Sequence, residues 1–304
     1  MTHMRLGRHT VEISRPDKLL CPDDGITKAN VAEYYQRVGR YMLPHVRARP
    51  LTLQRFPDGL GSEGFVQQQR PRHFPDWVDS CRARRAGGKG EVDHVVANRI
   101  AALVYLAGQG TLAFHRWLSR TDRLGCPDRL VFDLDPPDGA DFAGVRDAAR
   151  TVGDFLRELR CEPWCMTTGS SGMHVVVALD RSADFDAVRK TARAAAEVLA
   201  TRHPDRFTVE QRINKRTGRL YLDTGRNAYG QTAVAPYSLR ALPGAPVATP
   251  LAWDELKAGA LHARRHTLVT VVRRLERQDD PWRGQSRHAV SVAALQRRLK
   301  ALRE

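Results

Sequence analysis

Two aspartates, Asp133 and Asp135, close the run Arg129-Leu130-Val131-Phe132-Asp133-Leu134-Asp135, which Pro136-Pro137 stops. Residues two apart in a strand share a face, so both carboxylates project from the same side of a sheet. Held side by side they repel, unless one is protonated or a cation lies between them. A divalent ion solves this, and hard oxygen ligands select Mg²⁺ or Mn²⁺ over zinc. The pair reads equally well as a cap on the next element. A third acid, Asp223, ends Leu220-Tyr221-Leu222 and is followed by Arg226 and Asn227. Between these acids lies Thr168-Gly169-Ser170-Ser171-Gly172-Met173-His174, whose glycines permit close backbone approach and whose hydroxyls and amides suit an anion such as phosphate. By itself this turn also reads as a plain hairpin connection. Together, three strand-end aspartates and a hydroxyl-lined turn fit two-metal phosphoryl transfer, with the ions roughly 3.5 to 4 Å apart.

The elements that must position these groups follow from pattern. Thr27 is placed to cap a helix carrying Val31, Tyr34, Tyr35, Val38 and Met42 at 3/4 spacing, which Pro44 should stop. Strands are expected over Leu51–Phe56 and Phe65–Gln69, joined through Pro57-Asp58-Gly59. Residues Arg82 to Gly90 lack periodicity and read as a mobile basic loop. Then come a helix near 98–108, the 129–135 strand, a helix over 142–159, strands near 164–168 and 174–179, a helix over 183–202 and the 220–223 strand. This β-α-β-β-α-β-like run predicts a mixed sheet with helices on one face. Arg287 to Arg303 reads as a basic amphipathic helix of the solvated kind.

The chain has 304 residues, 49 Lys+Arg against 34 Asp+Glu, and a net charge of +15, with 42% hydrophobic residues. Whole-chain disorder and coiled coil are excluded. No apolar run reaches the roughly 18 to 20 residues of a membrane span, and no secretory signal is visible at the start. Five cysteines at irregular spacing point to a reducing cytoplasm, with Cys161 and Cys165 read as buried thiols. The charge excess fits phosphate-rich partners, although an Arg-favouring coding bias accounts for the same number.

The strings Gly25-Ile26-Thr27-Lys28, Arg55-Phe56-Pro57-Asp58-Gly59, His73-Phe74-Pro75, Arg129 to Pro136 and Thr232 to Arg240 occur in order. In these the chain resembles the polymerase domain of bacterial DNA ligase D, a branch of the archaeo-eukaryotic primase superfamily, from about Lys18 to Leu256. The resemblance implies an α+β fold: a primase-polymerase catalytic core with two packed mixed or antiparallel sheets flanked by helices. One domain over 1–304 is expected, with a core of about 18–256 and a helical extension over 257–304. It further implies template-directed nucleotidyl transfer that fills gaps or extends ends in non-homologous end joining, with ribonucleotide preference. Two Mn²⁺ or Mg²⁺ ions would sit on Asp133, Asp135 and Asp223. His115, Thr168, Ser170, Gly172, His174, Arg216 and Arg226 would bind the nucleoside triphosphate. Lys18 and Lys28 would take the 5′-phosphate of gapped or broken duplex DNA, and Arg55, Phe65 and Arg240 the template. Apart from the resemblance, Lys28 reads as a solvated helix-start lysine and Phe65 as a core residue.

The sequence departs from that pattern in places. Ser171, Gln68 and Gln231 stand where basic residues are usual, and Asp223-Thr224-Gly225-Arg226-Asn227 replaces Asp-Trp-x-Gln-Asn. Neither a Lys-x-Asp-Gly ligase motif nor a His-rich phosphoesterase signature is present, which leads us to expect a stand-alone polymerase. A DNA ligase and a DNA-end-binding protein would then act in trans, in a cytoplasmic, nucleoid-associated setting without membrane contact. Two alternatives remain at this point: a catalytically weak DNA end- or gap-binding module, and a primase that needs no primer.

Overall fold

The structure, a computed structural model, describes residues 1–302. The strands and helices run in the order β1 (Thr2–Leu6), β2 (His9–Ile13), β3 (Leu19–Cys21), β4 (Ile26–Thr27), α1 (Lys28–Val46), β5 (Leu51–Arg55), β6 (Phe65–Gln67), β7 (Ser80–Arg84) and β8 (Glu91–Val95). Next come α2 (Ile100–Gly108), β9 (Thr111–Trp117), β10 (Arg129–Asp135), α3 (Phe142–Glu158), β11 (Pro163–Thr167), β12 (Met173–Ala178), α4 (Phe185–Arg202) and β13 (Phe207–Thr208). The last are β14 (Leu220–Asp223), β15 (Thr232–Val234), β16 (Thr249–Leu251), α5 (Leu268–Leu275) and α6 (Val292–Ala301). The fold is α+β. Its chain divides into two compact units, one of Met1–Asp122, Thr232–Thr249 and His266–Asp280, the other of Arg123–Gln231, Pro250–Arg265 and the segment from Pro281 onward.

In the first unit an antiparallel sheet runs β15-β9-β5-β6. The expected cap holds: Thr27 accepts from the Asn30 amide, while the Asn30 side chain returns to the Thr27 N–H. Val31, Tyr34, Tyr35, Val38 and Met42 are all buried, against Leu51 and Leu53 of β5 and Phe114 of β9. Each such side chain contributes about 1.5 to 3 kcal/mol on burial. Pro44 does not stop α1, which runs on to Val46. It lies in the last turn, where a missing N–H forfeits only one bond, and Arg47 N–H closes the helix on Leu43 O at 2.9 Å.

The region read as a basic loop is a hairpin. β7 and β8 pair from Ser80↔Val95 to Arg84↔Glu91, leaving 85–90 as the tip. Ala83 and Val92 point inward while Arg82 and Arg84 face out. The alternation is present in the sequence, but its apolar positions are too small to stand out among the arginines. A β1–β2 hairpin, with no counterpart among the expected strands, packs Val11 and Ile13 on Ala101 and Val104 of α2.

The second unit holds a mixed six-stranded sheet, β13-β14-β10-β12-β11-β16, in which β13 and β14 are parallel. Leu130, Phe132 and Leu134 alternate to one face with Met173, Val175 and Val177, and there α3, α4 and α6 cover them. The opposite face carries Val131, Asp133 and Asp135. The expected terminal helix begins later, at Val292, and it is not merely solvated. Val292, Leu295 and Leu299 are buried in the core; Arg303 lies outside the described residues. Cys161 and Cys165 are buried thiols, pushed above the usual range by desolvation. No helix among the described residues is long and apolar enough to cross a membrane.

Candidate active site

β10 is flanked by β12 and β14, and register decides what meets. Asp133 lies opposite His174 on β12 and opposite Asp223 on β14, so three polar side chains form one row across the sheet. Residues directly opposite share a face. Asp135 is two residues along, on that same face, opposite Tyr221. All these residues belong to the second unit.

The row is held by nitrogen donors. His174 Nε2 lies 3.4 Å from Asp133 Oδ1, and Arg226 Nε lies 3.2 Å from Oδ2. Burial alone would raise the Asp133 pKa, but His174 and Arg226 outweigh it and hold the carboxyl at about 2. Asp133 is therefore an anion at neutral pH. Arg216 Nη1 pairs with Asp135 Oδ2 at 2.8 Å, and its guanidinium lies 4.2 Å over the Tyr221 ring. Glu210 O and Gln211 O also accept from Arg216, at 3.2 and 3.1 Å. Asp223 Oδ1 accepts from the Gly225 amide at 2.7 Å and from the Tyr221 hydroxyl at 3.2 Å. Desolvation, then Asp223, pushes the Tyr221 phenol up to about 12.

One residue quoted only as part of a motif proves central. Asn227 is fully buried; its Oδ1 accepts from Val131 N–H at 2.9 Å, and its Nδ2 donates to Val131 O at 2.7 Å and to Thr224 O at 2.9 Å. The backbone ladder between β14 and β10 runs over 133–135. Asn227 supplies a side-chain substitute for the next ladder position.

The 168–174 turn connects β11 to β12, and the Thr168 hydroxyl sits at its centre. That oxygen donates to Gly172 O at 3.0 Å and accepts from the Ser170 and Gly172 amides, each at 3.3 Å. Arg264 Nε donates to Ser170 O at 3.1 Å. Gly172 is required by contact: a Cβ there would lie 2.1 Å from Leu134 O, the residue between the two aspartates. The turn thus presses on β10 at the acid pair.

In the first unit, the Pro57-Asp58-Gly59 turn docks on β3. Gly59 has φ +87°, and a Cβ there would lie 2.8 Å from Leu19 O. This approach pairs Asp58 with the Lys18 ammonium. Lys28 N–H bonds Lys18 O at 2.8 Å, and Lys28 Nζ reaches Ser14 O at 3.0 Å. Lys28 is buried, not solvated. Its pKa is lowered by desolvation first, then by Arg15, Lys18 and Arg55. Arg55 bonds Gln67 Oε1 at 2.6 Å and stacks 5.2 Å over Phe65. Phe65 is 48% exposed, which overturns its reading as a core residue. His115 lies half-buried on β9 between Thr52 and Val234, and Arg240 N–H bonds Pro246 O at 2.8 Å.

Three carboxylates on one face form a donor set suited to Mg²⁺ or Mn²⁺. Among the described residues no three His, Cys, Asp or Glu side chains converge as a metal cage. Asp133 is paired with His174 and Arg226, and Asp135 with Arg216, instead. Such ions commonly rely on one or two carboxylates plus substrate phosphates, so the residues fit the group without a preformed cage.

A family model, the LigD primase-polymerase domain, matches residues 27–282. This match defines the class, a primase-polymerase domain. The multifunctional non-homologous end joining protein LigD of Mycolicibacterium smegmatis is 32% identical over 248 residues, covering 81% of this chain and 32% of that protein. Its namesake from Pseudomonas aeruginosa is 32% identical over 291 residues, covering 95% and 34%. Among solved structures, the polymerase domain of Mycobacterium tuberculosis ligase D in complex with DNA superimposes with a TM-score of 0.87 at 29% identity, over 92% of this chain and 99% of that one. The chain belongs to the LigD primase-polymerase domain family. It spans about a third of the length of these curated relatives.

Proposed function

We propose that this protein fills gaps or extends ends in DNA during break repair, adding nucleotides to a primer 3′-hydroxyl on a template, with a preference for ribonucleotides. The observation that carries the reading is the row His174–Asp133–Asp223 with Asp135 beside it and the 168–174 turn pressed against the same strand. Asp133, Asp135 and Asp223 would hold two divalent ions, Mn²⁺ or Mg²⁺. When bound, these ions supply Lewis-acid activation of the attacking hydroxyl and charge neutralisation on the phosphates.

This chain's own residues do the rest. Ionised Asp133 keeps the acid row anionic at neutral pH, and Asn227 fixes the strand that carries it. The Thr168, Ser170 and Gly172 turn with His174 takes the triphosphate, His115 lines the nucleotide pocket, and Arg216 and Arg226 offset charge as pyrophosphate departs. In the first unit Lys18 and Lys28 receive a 5′-phosphate, since a poorly solvated ammonium gains from a dianion. Arg55 and exposed Phe65 form a stacking platform for a template base, worth about 1 to 3 kcal/mol, and Arg240 joins them. We take 1–304 as one functional primase-polymerase domain. A ligase activity and a DNA-end-binding protein complete repair, in the cytoplasm at the nucleoid.

Primer extension on a gapped duplex with Mn²⁺ tests this. Extension abolished by Asp135→Ala supports the enzyme; DNA binding without extension by the parent protein refutes it. Product on a single-stranded template lacking any 3′-end would favour a primer-independent primase.

A further inference from the structure

Arg226 and Arg216 both pair with acids of the row, but they are held differently. Arg216 is anchored by two backbone carbonyls and the Tyr221 ring, and its side chain is 12% exposed. Arg226 sits in the single helical turn Gly225–Asn227 and is 43% exposed. Among the described residues, Asp133 is the one ion-pair and hydrogen-bond partner of its side chain. The opposite oxygen of Asp133 is occupied by His174, fixed on β12 and 5% exposed. A divalent ion approaching Asp133 therefore meets a fixed imidazole on one oxygen and a displaceable guanidinium on the other.

We propose that Arg226 is a tethered competitor for the divalent-ion position on Asp133, and that binding of metal with nucleoside triphosphate transfers its guanidinium from Asp133 Oδ2 to the triphosphate. This rests on the reading of Asp133 as a metal ligand. One carboxylate oxygen does not serve a guanidinium and a divalent ion together, and the two cations repel at a few ångströms even in a water-like dielectric. That repulsion weakens binding of the ion alone by about tenfold or more. The released guanidinium has a planar fork of donors matched to phosphate oxygens, so the triphosphate compensates for its displacement. Metal and nucleotide then bind cooperatively, each raising the affinity for the other by the same factor. The charge is placed where it is needed, because Ser171 leaves the phosphate turn without a cation of its own, and Arg226 stands where the resembled pattern has a neutral glutamine.

The test is Mn²⁺ binding to the full chain, followed by electron paramagnetic resonance of free Mn²⁺, first alone and then with a non-hydrolysable nucleoside triphosphate. The parent protein is compared with Arg226→Gln, Arg226→Lys and Asp133→Asn, each checked for folding by thermal unfolding. Arg226→Gln should bind Mn²⁺ alone about tenfold more tightly and bind the triphosphate with Mn²⁺ several-fold more weakly, while Arg226→Lys, which keeps the charge without the planar fork, stays close to the parent for Mn²⁺ alone and falls between the two for the triphosphate. If Arg226→Gln matches the parent for Mn²⁺ alone within twofold, while Asp133→Asn loses binding, the competitor role is wrong and the metal site stands. Tighter Mn²⁺ with unchanged triphosphate affinity overturns the transfer. If the parent binds no Mn²⁺ with or without the triphosphate, the metal reading of Asp133 fails, and this inference with it.

Discussion

Replacing Asn227 by alanine should unfold the acid row before it touches any acid. The side chain makes three hydrogen bonds in a fully buried position, two of them to Val131, itself 1% exposed. Three bonds at about 1 kcal/mol each give about 3 kcal/mol. The Val131 N–H and C=O are then stranded away from water, so the total reaches about 3 to 5 kcal/mol. For a unit of this size that corresponds to a fall in melting temperature of roughly 10 °C. Asn227→Asp should fare no better: it keeps an acceptor for Val131 N–H but turns a carboxylate oxygen on Val131 O and Thr224 O. Urea and thermal unfolding of the parent and both variants provide the measurement, with primer extension alongside. An Asn227→Ala protein within about 1 kcal/mol of the parent would show that β10 does not depend on this side-chain ladder, and the argument for how Asp133 and Asp223 are aligned would fall with it.

Three further outcomes are expected. Gly172→Ala, whose Cβ would lie 2.1 Å from Leu134 O, must push the turn off β10 and should raise KM for the nucleotide at least tenfold; an unchanged KM removes the turn from the site. The Asp133 carboxyl is depressed from 3.8 to about 2, so its contribution is present above its unfolded pKa and lost as pH falls from about 4 through 2. Comparing unfolding of the parent with Asp133→Asn between pH 7 and pH 2 should show that advantage shrink by about 2 kcal/mol; a pH-independent difference contradicts the pairing. Lys28→Ala should abolish tighter binding to gapped DNA bearing a downstream 5′-phosphate, measured by fluorescence anisotropy with and without that phosphate.

Much of the site was legible because strand register amplifies short motifs. Asp133 and Asp135 required only the two-residue repeat of a strand, and the turn before His174 announced itself by its glycines. Pairing was not legible: nothing local says that Asp223 lies opposite Asp133 while His174 lies opposite on the other side. The Asn227 ladder was hidden for the same reason, since a polar residue after a short strand usually reads as a turn. Arginine density conceals the β7–β8 hairpin, and Pro44, falling in a last helical turn, does not end α1. Arg264 at the Ser170 carbonyl had no sequence signal at all, because it is brought there from 94 residues away.

The interleaving of the two units also bears on how the protein comes into being. The chain passes from one unit to the other five times, so neither unit is finished when its first segment leaves the ribosome. The edge of β9 must wait for β15, which is made more than roughly a hundred residues later, and α1 waits longer still for α5. During that interval the nascent first unit presents an open strand edge over His115 to Trp117, the kind of surface on which unfinished chains associate. Slow, late-closing folding follows from that topology. Ribosome-bound fragments ending before Thr232 should therefore depend on chaperones, whereas the completed chain should not.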